Sequence, residues 1–188
     1  MSEASPPSRR EAILAAALEL FRRRGFHAVG IDEIGSAAGI SGPGVYRHFR
    51  SKDSVLVALF DDISERMLEG ARKIVSDGVD PVVTLEALVD LHVSFAVEER
   101  ALLSVWLQDW RSLPEPDRNR IRARQIGYME EWTRSLAEQR KELTDPEVET
   151  IAYAAFSVVN SVATHDIGLP RRDLDPMLRR LALAVLRG

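Results

Sequence analysis

The sequence predicts an all-α protein of about nine helices, with an N-terminal three-helix head, built as a helix-turn-helix, on a larger helical body. Three observations support this fold class. Apolar residues recur at intervals of three and four through most of the 188-residue chain, which is the spacing of one face of a helix. Helix start and stop signals (Ser, Asp-Pro and Gly) separate these segments. No run of alternating apolar residues is long enough for a β-strand.

A capping box marks the start of the first helix. The hydroxyl of Ser8 can accept a free N–H of the first turn, while Glu11 can reach back to the backbone of Ser8. Gly25 follows three arginines and ends the helix. The buried face carries apolar residues at helical spacing, namely Leu14, Ala17, Leu18 and Phe21.

Two short helices complete the head. The second helix is expected over residues 31–38, with two acidic residues in its first turn. Gly39 ends it in a left-handed conformation, and Ser41 caps a third helix. Val45 and Phe49 are expected on the buried side of that third helix.

The remainder of the chain is expected to be helical throughout. Ser51 begins a fourth helix that extends to about residue 75 and carries a long apolar stripe. The body then has breaks at residues 113–116 and 168–170. Further helices are expected at 82–96, 100–112, 117–140 and 148–166, and a last helix begins at Asp175-Pro176 and ends at Leu186.

Charge is distributed unevenly between head and body. The formal net charge is −4, but residues 1–52 hold eight Lys/Arg and five Asp/Glu, whereas the rest holds seventeen and twenty-four. A basic head on an acidic body fits a DNA-binding module joined to a second domain, although a solvated surface of uneven charge is an equal alternative. We therefore divide the chain into domains at 1–52 and 53–188.

The composition also bears on cellular location. The chain has no cysteine, so disulfides and thiolate chemistry are excluded. The polar N-terminus lacks the apolar core of a signal peptide, and no apolar stretch reaches about 18 residues. We expect a cytoplasmic protein with no membrane partner.

Residues 25–52 carry the clearest functional pattern. Two short helices joined by a tight turn at residues 39–41 form a helix-turn-helix, whose second helix enters the major groove of DNA. Hydroxyl, imidazole and basic side chains can hold phosphates at such a site. They cluster at the end of this second helix as Tyr46, Arg47, His48, Arg50 and Lys52.

This segment resembles the N-terminal signature of the TetR family of transcriptional regulators. The matching positions follow the spacing of the family without a gap and cover about a quarter of the chain. They are Ile13-Leu14, Ala16-Ala17, Leu20-Phe21, Gly25-Phe26, Ile34, Ala38-Gly39-Ile40-Ser41, Tyr46, His48-Phe49, Lys52 and Leu56. The resemblance implies a dimeric one-component repressor that binds a palindromic operator in double-stranded DNA.

The resemblance also implies roles for the residues of the recognition helix. Ser41 would cap this helix, and phosphates would be held by Tyr46, His48 and Lys52. The groove would be faced by Gly42, Pro43, Gly44 and Arg47, with Arg47 reading a base or, equally, holding a phosphate.

Two positions depart from the pattern of the family. A Thr or Ser usually precedes the second helix, where this chain has Val29-Gly30 and so offers no hydroxyl. The run Gly42-Pro43-Gly44 is poor helix material and leaves few side chains to read bases. We expect shape and phosphate contacts to supply much of the DNA affinity.

The body is rich in aromatic residues, for which core packing is the simplest interpretation. In the family the body helices enclose an effector cavity, and an aromatic pocket with few polar groups suits a small, largely apolar ligand. Gln108 and Asp109 are further polar candidates. The expected pocket residues are His92, Phe95, Trp106, Trp110, Tyr128, Trp132 and Asn160.

A segment at residues 151–163 is almost free of charge, so it must be buried on most sides. With the last helix it would form half of a four-helix dimer interface, as the resemblance implies. Packing of both helices inside one subunit is the alternative. The interface candidates are Tyr153, Phe156, Ser157, Asn160, Leu178, Leu181 and Val185.

Enzyme motifs are missing from the sequence. The four histidines are scattered, and there is no Glu-x-x-His pair, HExxH, P-loop or G-x-S-x-G. We expect no catalytic activity, metal or cofactor.

An architectural DNA-binding protein, which would need no cavity, is a third class. In the expected mechanism an unidentified effector binds a body conformation in which the two heads of the dimer are wrongly spaced for the operator. The fourth helix would transmit this change from the body to the head.

Overall fold

The computed structural model describes residues 8–78, 80–164 and 168–188, which form nine α-helices and no strand. The all-α prediction is confirmed. Short 3₁₀ turns lie at Phe26–Ala28, Trp110–Ser112 and Ser161–Ala163. The helices are α1 Arg9–Arg24, α2 Ile31–Ala37, α3 Gly42–Tyr46, α4 Lys52–Asp77, α5 Pro81–Glu98, α6 Arg100–Asp109, α7 Glu115–Gln139, α8 Asp145–Asn160 and α9 Arg171–Arg187.

Local signals fix the ends of the helices in the head. Ser8 and Glu11 form the expected capping box, with the Glu11 amide donating to the Ser8 hydroxyl at 3.2 Å. Gly25 ends α1 with φ 77°, a left-handed backbone that favours glycine. The head is closed around a core of Ile13, Phe21, Ile34, Val45 and Phe49.

The body is a bundle built on the long helix α4. This helix begins in the head at Lys52 and extends for 26 residues, packing mainly against α7. The α9 helix packs against α5 and α8, and α6 packs against α1. The body is therefore joined to the head by α4, which is continuous with it, and by the packing of α6 on α1. No helix in the described part of the chain is long and apolar enough to span a membrane.

Several helix boundaries differ from the sequence prediction, and three of them have a clear cause or consequence. The α7 helix begins at Glu115, because Pro116 occupies its first turn, where a missing N–H costs nothing. The α9 helix begins at Arg171 and includes Pro176, which forfeits one backbone hydrogen bond. The α8 helix ends at Asn160 in a 3₁₀ turn. Its expected end at Asp166 lies outside the described residues.

Candidate functional site

A close packing of α2 on the following turn sets the position of the recognition helix α3. Gly39 has φ 70°, and the Ile40 amide donates to the Gly35 carbonyl at 2.9 Å. A Cβ at position 35 would lie 3.0 Å from the Ile40 carbonyl oxygen, a contact tighter than side chains usually make, so glycine fits this approach best. Ser41 caps α3 by accepting the Gly44 amide at 3.3 Å. These contacts fix the turn between α2 and α3.

The exposed side of α3 and the residues after it collect the candidate DNA contacts. Tyr46 is 56% exposed, unusual for an aromatic side chain. Pro43, Arg47 and His48 are also exposed. The buried Val45 holds α3 against the head, and this leaves the polar side chains facing outward. The arrangement presents hydroxyl, guanidinium and imidazole groups together.

Gly42 does not face outward, which corrects the expectation from the sequence. It is buried against α2, and a Cβ at this position would lie 1.8 Å from Oδ1 of Asp32. Because Gly42 is buried, it is removed from the set that can face DNA. Gly44 is half-buried, and a Cβ there would make only ordinary contacts of 3.4 Å or more.

Lys52 has an internal role that the sequence did not indicate. Its Nζ donates to the carbonyl oxygens of Phe26 at 2.7 Å and Val29 at 2.8 Å, and lies 4.3 Å from the centre of the Phe26 ring. An ammonium group has three donors, so one remains for the expected phosphate. Lys52 thus ties the start of α4 to the turn that follows α1.

At Gly30, where the family usually has a capping hydroxyl, the side chain of Glu33 bonds the backbone instead. The Gly30 amide donates to Oε2 of Glu33 at 2.9 Å, which is one half of a capping box. Glu33 also pairs with Arg24, and this ion pair lowers the pKa of the Glu33 carboxyl. The Gly30 N–H is therefore engaged within the protein, and the start of α2 offers a carboxylate rather than a hydroxyl.

A cavity of about 260 Å³ lies among α4, α5, α6, α7 and α8. Five of the seven expected pocket residues line it: His92, Phe95, Trp106, Tyr128 and Asn160. No charged side chain is among its described lining residues. The other lining residues are Ile63, Ser64, Met67, Leu102, Leu103, Leu107, Gln125, Tyr153, Phe156 and Ser157.

Two of the expected tryptophans do not line this cavity. Trp132 is wholly buried behind His92, with ring centroids 5.9 Å apart, so it is a core residue. Trp110 lies in a 3₁₀ turn, where the guanidinium of Arg111 stands 5.8 Å from its ring. The sequence missed Ile63 and Met67, although both belong to the apolar stripe of the fourth helix.

His92 lies at the centre of the polar groups in the cavity. Its ring stacks on Phe156 with centroids 4.1 Å apart, and its Nε2 lies 3.0 Å from Oδ1 of Asn160. Burial lowers the pKa of His92 to about 4, against a smaller opposing effect of the Asn160 hydrogen bond. Burial also raises the pKa of Tyr128. Both side chains are therefore neutral near pH 7.

Comparison with known proteins agrees with both parts of this description. Residues 13–59 match the family model for bacterial regulatory proteins of the tetR family. Residues 78–164 match the tetracyclin repressor-like C-terminal domain. The chain belongs to the TetR family. The TetR family is one of bacterial regulatory proteins, and the resemblance found in the sequence is confirmed.

Two curated relatives and one solved structure illustrate the range of this TetR-family likeness. The activator FasR of Mycolicibacterium smegmatis is 37% identical over 46% of this chain and 40% of its own length. The repressor KstR2 of Rhodococcus jostii is 38% identical over 43% of this chain and 40% of its own. A TetR-family regulator from Bordetella parapertussis matches with a TM-score of 0.85 at 21% identity, over 95% of each chain. This chain thus spans 40% of the length of each of these two curated relatives.

A second contact joins head and body in this TetR-family chain. Asp109, expected as a pocket candidate, instead accepts the Phe26 amide on its Oδ2 at 3.1 Å and is buried there. Three residues further on, the Ser112 hydroxyl lies 3.0 Å from Nε2 of His27. Gln108 is exposed. The end of α6 is therefore hydrogen-bonded to the turn that Lys52 also holds.

The expected dimer residues divide between the surface and the interior. Tyr153 is 49% and Leu181 44% exposed, and Ser157 is also exposed, so α8 and α9 present an apolar face. Leu178 is buried within the subunit and is removed from the interface set. The remaining candidates are half-buried: Phe156 lines the cavity, Asn160 bonds His92, and Val185 packs against the core.

Proposed function

We propose that the chain is a ligand-responsive repressor that binds a palindromic operator as a dimer and is released by a small, largely apolar effector. The exposed recognition helix, held by the hydrogen-bonded turn before it, is the observation that carries this proposal. In it, residues 1–52 form the DNA-binding domain, and residues 53–188 form the ligand-binding and dimerisation domain. The protein would act in the cytoplasm.

DNA binding is assigned to the exposed end of α3. Tyr46 and His48 would donate to phosphates, and Arg47 would read a guanine or hold a further phosphate. Pro43 and the half-buried Gly44 leave room for a close approach of the backbone to the groove. Few side chains are available to read bases, so DNA shape would contribute to specificity.

Dimerisation would use the exposed face of α8 and α9. Two recognition helices about one helical turn of DNA apart are needed to engage both half-sites of a palindrome. The exposed Tyr153 and Leu181 supply apolar surface on this face, as an isologous interface requires. Ser157 and Val185 would flank them.

Ligand binding would release the DNA through α6 as well as through the long helix α4. Trp106 and Leu107 of α6 line the cavity, and Asp109 of the same helix holds the Phe26 amide of the head. A ligand that moves α6 therefore shifts a group bonded directly to the head. Coupling free energies of about 1–3 kcal/mol are typical for such linked sites.

Two alternatives follow from specific observations. The names of the relatives include a repressor, KstR2, and an activator, FasR, so activation is the second candidate. A purely architectural DNA-binding protein would not need an apolar cavity, and the cavity of about 260 Å³ favours a ligand-responsive regulator instead.

The proposal is tested by a salt titration with pure protein. Binding to the DNA upstream of its own gene is compared with binding to a scrambled duplex of equal length. We expect sequence-specific binding that weakens with salt, at one dimer or a small whole number of dimers per site. Failure to bind any DNA at low salt would refute it. A reporter fused to that upstream DNA then separates repression from activation.

A further inference from the structure

The cavity reaches the surface beside the helix that carries the expected dimer contacts. Three of its lining residues are exposed, and exposed lining residues mark the mouth of a cavity: Leu107, Tyr153 and Ser157. Leu107 belongs to α6, whereas Tyr153 and Ser157 lie one turn apart on α8. The mouth of the cavity therefore shares two residues with the set expected at the dimer interface.

We propose that a second copy of this chain closes the mouth of the cavity, so that an apolar ligand binds the dimer more tightly than the monomer. The inference rests on the proposed function, from which it takes the dimer and the apolar effector. It adds the link between them, because the ligand site is complete only in the dimer. The ligand then holds the dimer together, and DNA release comes from a changed spacing of the two heads rather than from dissociation into monomers.

The exposed side of α8 suits a second copy because it is uncharged and its side chains are small. Residues 150–161 contain no charged side chain. Four exposed residues recur at intervals of three and four, which places them on one side of the helix: Thr150, Ala154, Ser157 and Ser161. Small side chains let a second helix approach closely. A neutral surface also meets its own copy without charge repulsion, as an isologous contact requires.

The neighbouring helix α9 widens this surface. Its exposed Leu181 and Ala184 and the half-buried Met177 also lie at helical spacing. Because α9 packs against α8, these two rows of side chains lie next to each other, and together they are called the dimer face. No residue of α9 is among the described lining residues of the cavity. The mouth is therefore at the α8 edge of the dimer face.

Opposite charges stand at the two edges of the dimer face. Glu149 lies one turn before Tyr153 on α8, and Arg180 directly precedes Leu181 on α9. Both are exposed, and neither forms an ion pair within the described part of the chain. A two-fold axis that runs along the helices brings the α8 edge of each copy to the α9 edge of the other. This pairing joins unlike charges, and it places α9 of the second copy over the mouth.

Closing the mouth strengthens ligand binding by removing apolar surface from water. Leu107 is 42% exposed, so a ligand that reaches the mouth of a single subunit leaves part of its own surface in solvent. Covering about 50–60 Å² of apolar ligand surface corresponds to about tenfold in affinity. The coupling is reciprocal, and each dimer holds two such sites. Saturating ligand therefore strengthens dimerisation by the square of this factor, about 100-fold.

The test uses the neutral apolar dye N-phenyl-1-naphthylamine, whose fluorescence rises in apolar surroundings, and full-length protein without DNA. Leu181→Glu places a charge on the dimer face and should give a folded monomer, because this side chain is 44% exposed. Val83→Glu makes the same kind of change at a 65% exposed position on α5 and is the control. We expect Leu181→Glu to bind the dye about tenfold more weakly than the wild type and Val83→Glu do.

A second pair of variants establishes that the dye reports on the cavity. Ser64 lines the cavity, and its hydroxyl donates to the Asp61 carbonyl three residues earlier in α4. Ser76 of the same helix makes the equivalent bond to Lys73 at an exposed position. Ser64→Phe should fill the cavity and abolish dye binding, whereas Ser76→Phe should leave it unchanged. Circular dichroism verifies the helicity of all variants.

Fluorescence-detected sedimentation then measures the dissociation constant of the dimer with and without saturating dye. We expect the dye to lower it about 100-fold in the wild type. Arg180→Glu should weaken the dimer, and the double variant Glu149→Arg with Arg180→Glu should restore it, since the unlike pair is re-formed. Arg72→Glu, the same change at an exposed position on α4, should leave the dimer unchanged.

Several results would overturn the inference. They are equal dye affinity in the Leu181→Glu monomer and the wild type, a dimer constant that the dye leaves unchanged or raises, a Leu181→Glu variant that remains dimeric, or no dye binding to the cavity. DNA is absent from all these measurements, so such a failure leaves operator binding to be judged by the salt titration. If operator binding fails while dye and dimer are coupled as expected, the shared site stands and the regulatory function falls.

Discussion

Lowering the pH from 7.5 to 5 is expected to destabilise the protein through His92. The imidazole is buried among Phe95, Tyr128, Trp132 and Phe156, and burial lowers its pKa from 6.5 to about 4. Between these two values the unfolded chain binds a proton that the folded protein does not. Stability from this group is therefore complete above pH 6.5 and is lost as the pH falls toward 4.

The size of the loss follows from the two pKa values. Each pKa unit is worth about 1.4 kcal/mol, so the full effect is about 3 kcal/mol, of which about 2 kcal/mol is lost by pH 5. Several carboxyls, among them Glu33, Glu86 and Glu98, also have lowered pKa values and lose stability as the pH approaches their ordinary value of 4.5. The part that belongs to His92 is therefore isolated by comparison with a variant that lacks the imidazole.

The assay is urea unfolding followed by tryptophan fluorescence at pH 7.5, 6.5 and 5, at one fixed protein concentration. The variant His92→Gln keeps an amide that can bond Asn160 but cannot titrate. Its free energy of unfolding should fall by about 2 kcal/mol less than that of the wild type between pH 7.5 and 5. His48→Gln, at an exposed position, should behave like the wild type. An equal loss in His92→Gln and the wild type would refute the reasoning.

Three further predictions concern the head. Gly35→Ala should lower the free energy of unfolding by about 1–3 kcal/mol, because its methyl would meet the backbone of the turn at 3.0 Å. The control Gly44→Ala should be neutral or stabilising by up to about 1 kcal/mol. Urea unfolding compares the two variants, and equal effects would contradict the packing. Asp109→Ala should leave ligand affinity intact but reduce the ligand-induced loss of DNA affinity about five- to 150-fold relative to the control Asp109→Asn. DNA anisotropy with and without ligand measures this loss. Unchanged release would exclude α6 from the coupling. Lys52→Met should lower the DNA-free free energy of unfolding by about 1–3 kcal/mol, because two carbonyls of the turn lose their donor; a stability equal to the wild type would mean that Lys52 serves phosphates alone.

The head was the more predictable part, because its signals are local. The Ser8–Glu11 capping box and the left-handed Gly39 each involve residues within three or four positions. The burial of Gly42 and the internal hydrogen bonds of Lys52 were not predicted, since these contacts depend on other segments. The partners of Lys52 lie 23 and 26 residues away, and no periodicity encodes such a bond.

The cavity was only partly predictable for the same reason. Trp106 and Trp132 could not be told apart from the sequence, yet Trp106 lines the cavity and Trp132 is wholly buried behind His92. Five helices must pack before the wall of the cavity is defined, so a helical stripe shows which residues are apolar but not which of them meet empty space. Leu178 was likewise buried by its own subunit rather than left for a partner.

The most direct test of DNA recognition by α3 is a fluorescence-anisotropy titration of the upstream DNA with the double variant Tyr46→Ala and Arg47→Ala. Both side chains are exposed, so the fold should be unaffected, which circular dichroism and size-exclusion chromatography verify. We predict a loss of affinity for the specific site of about 100-fold or more, with wild-type helicity and the wild-type oligomeric state. Affinity equal to that of the wild type would contradict DNA recognition by this helix.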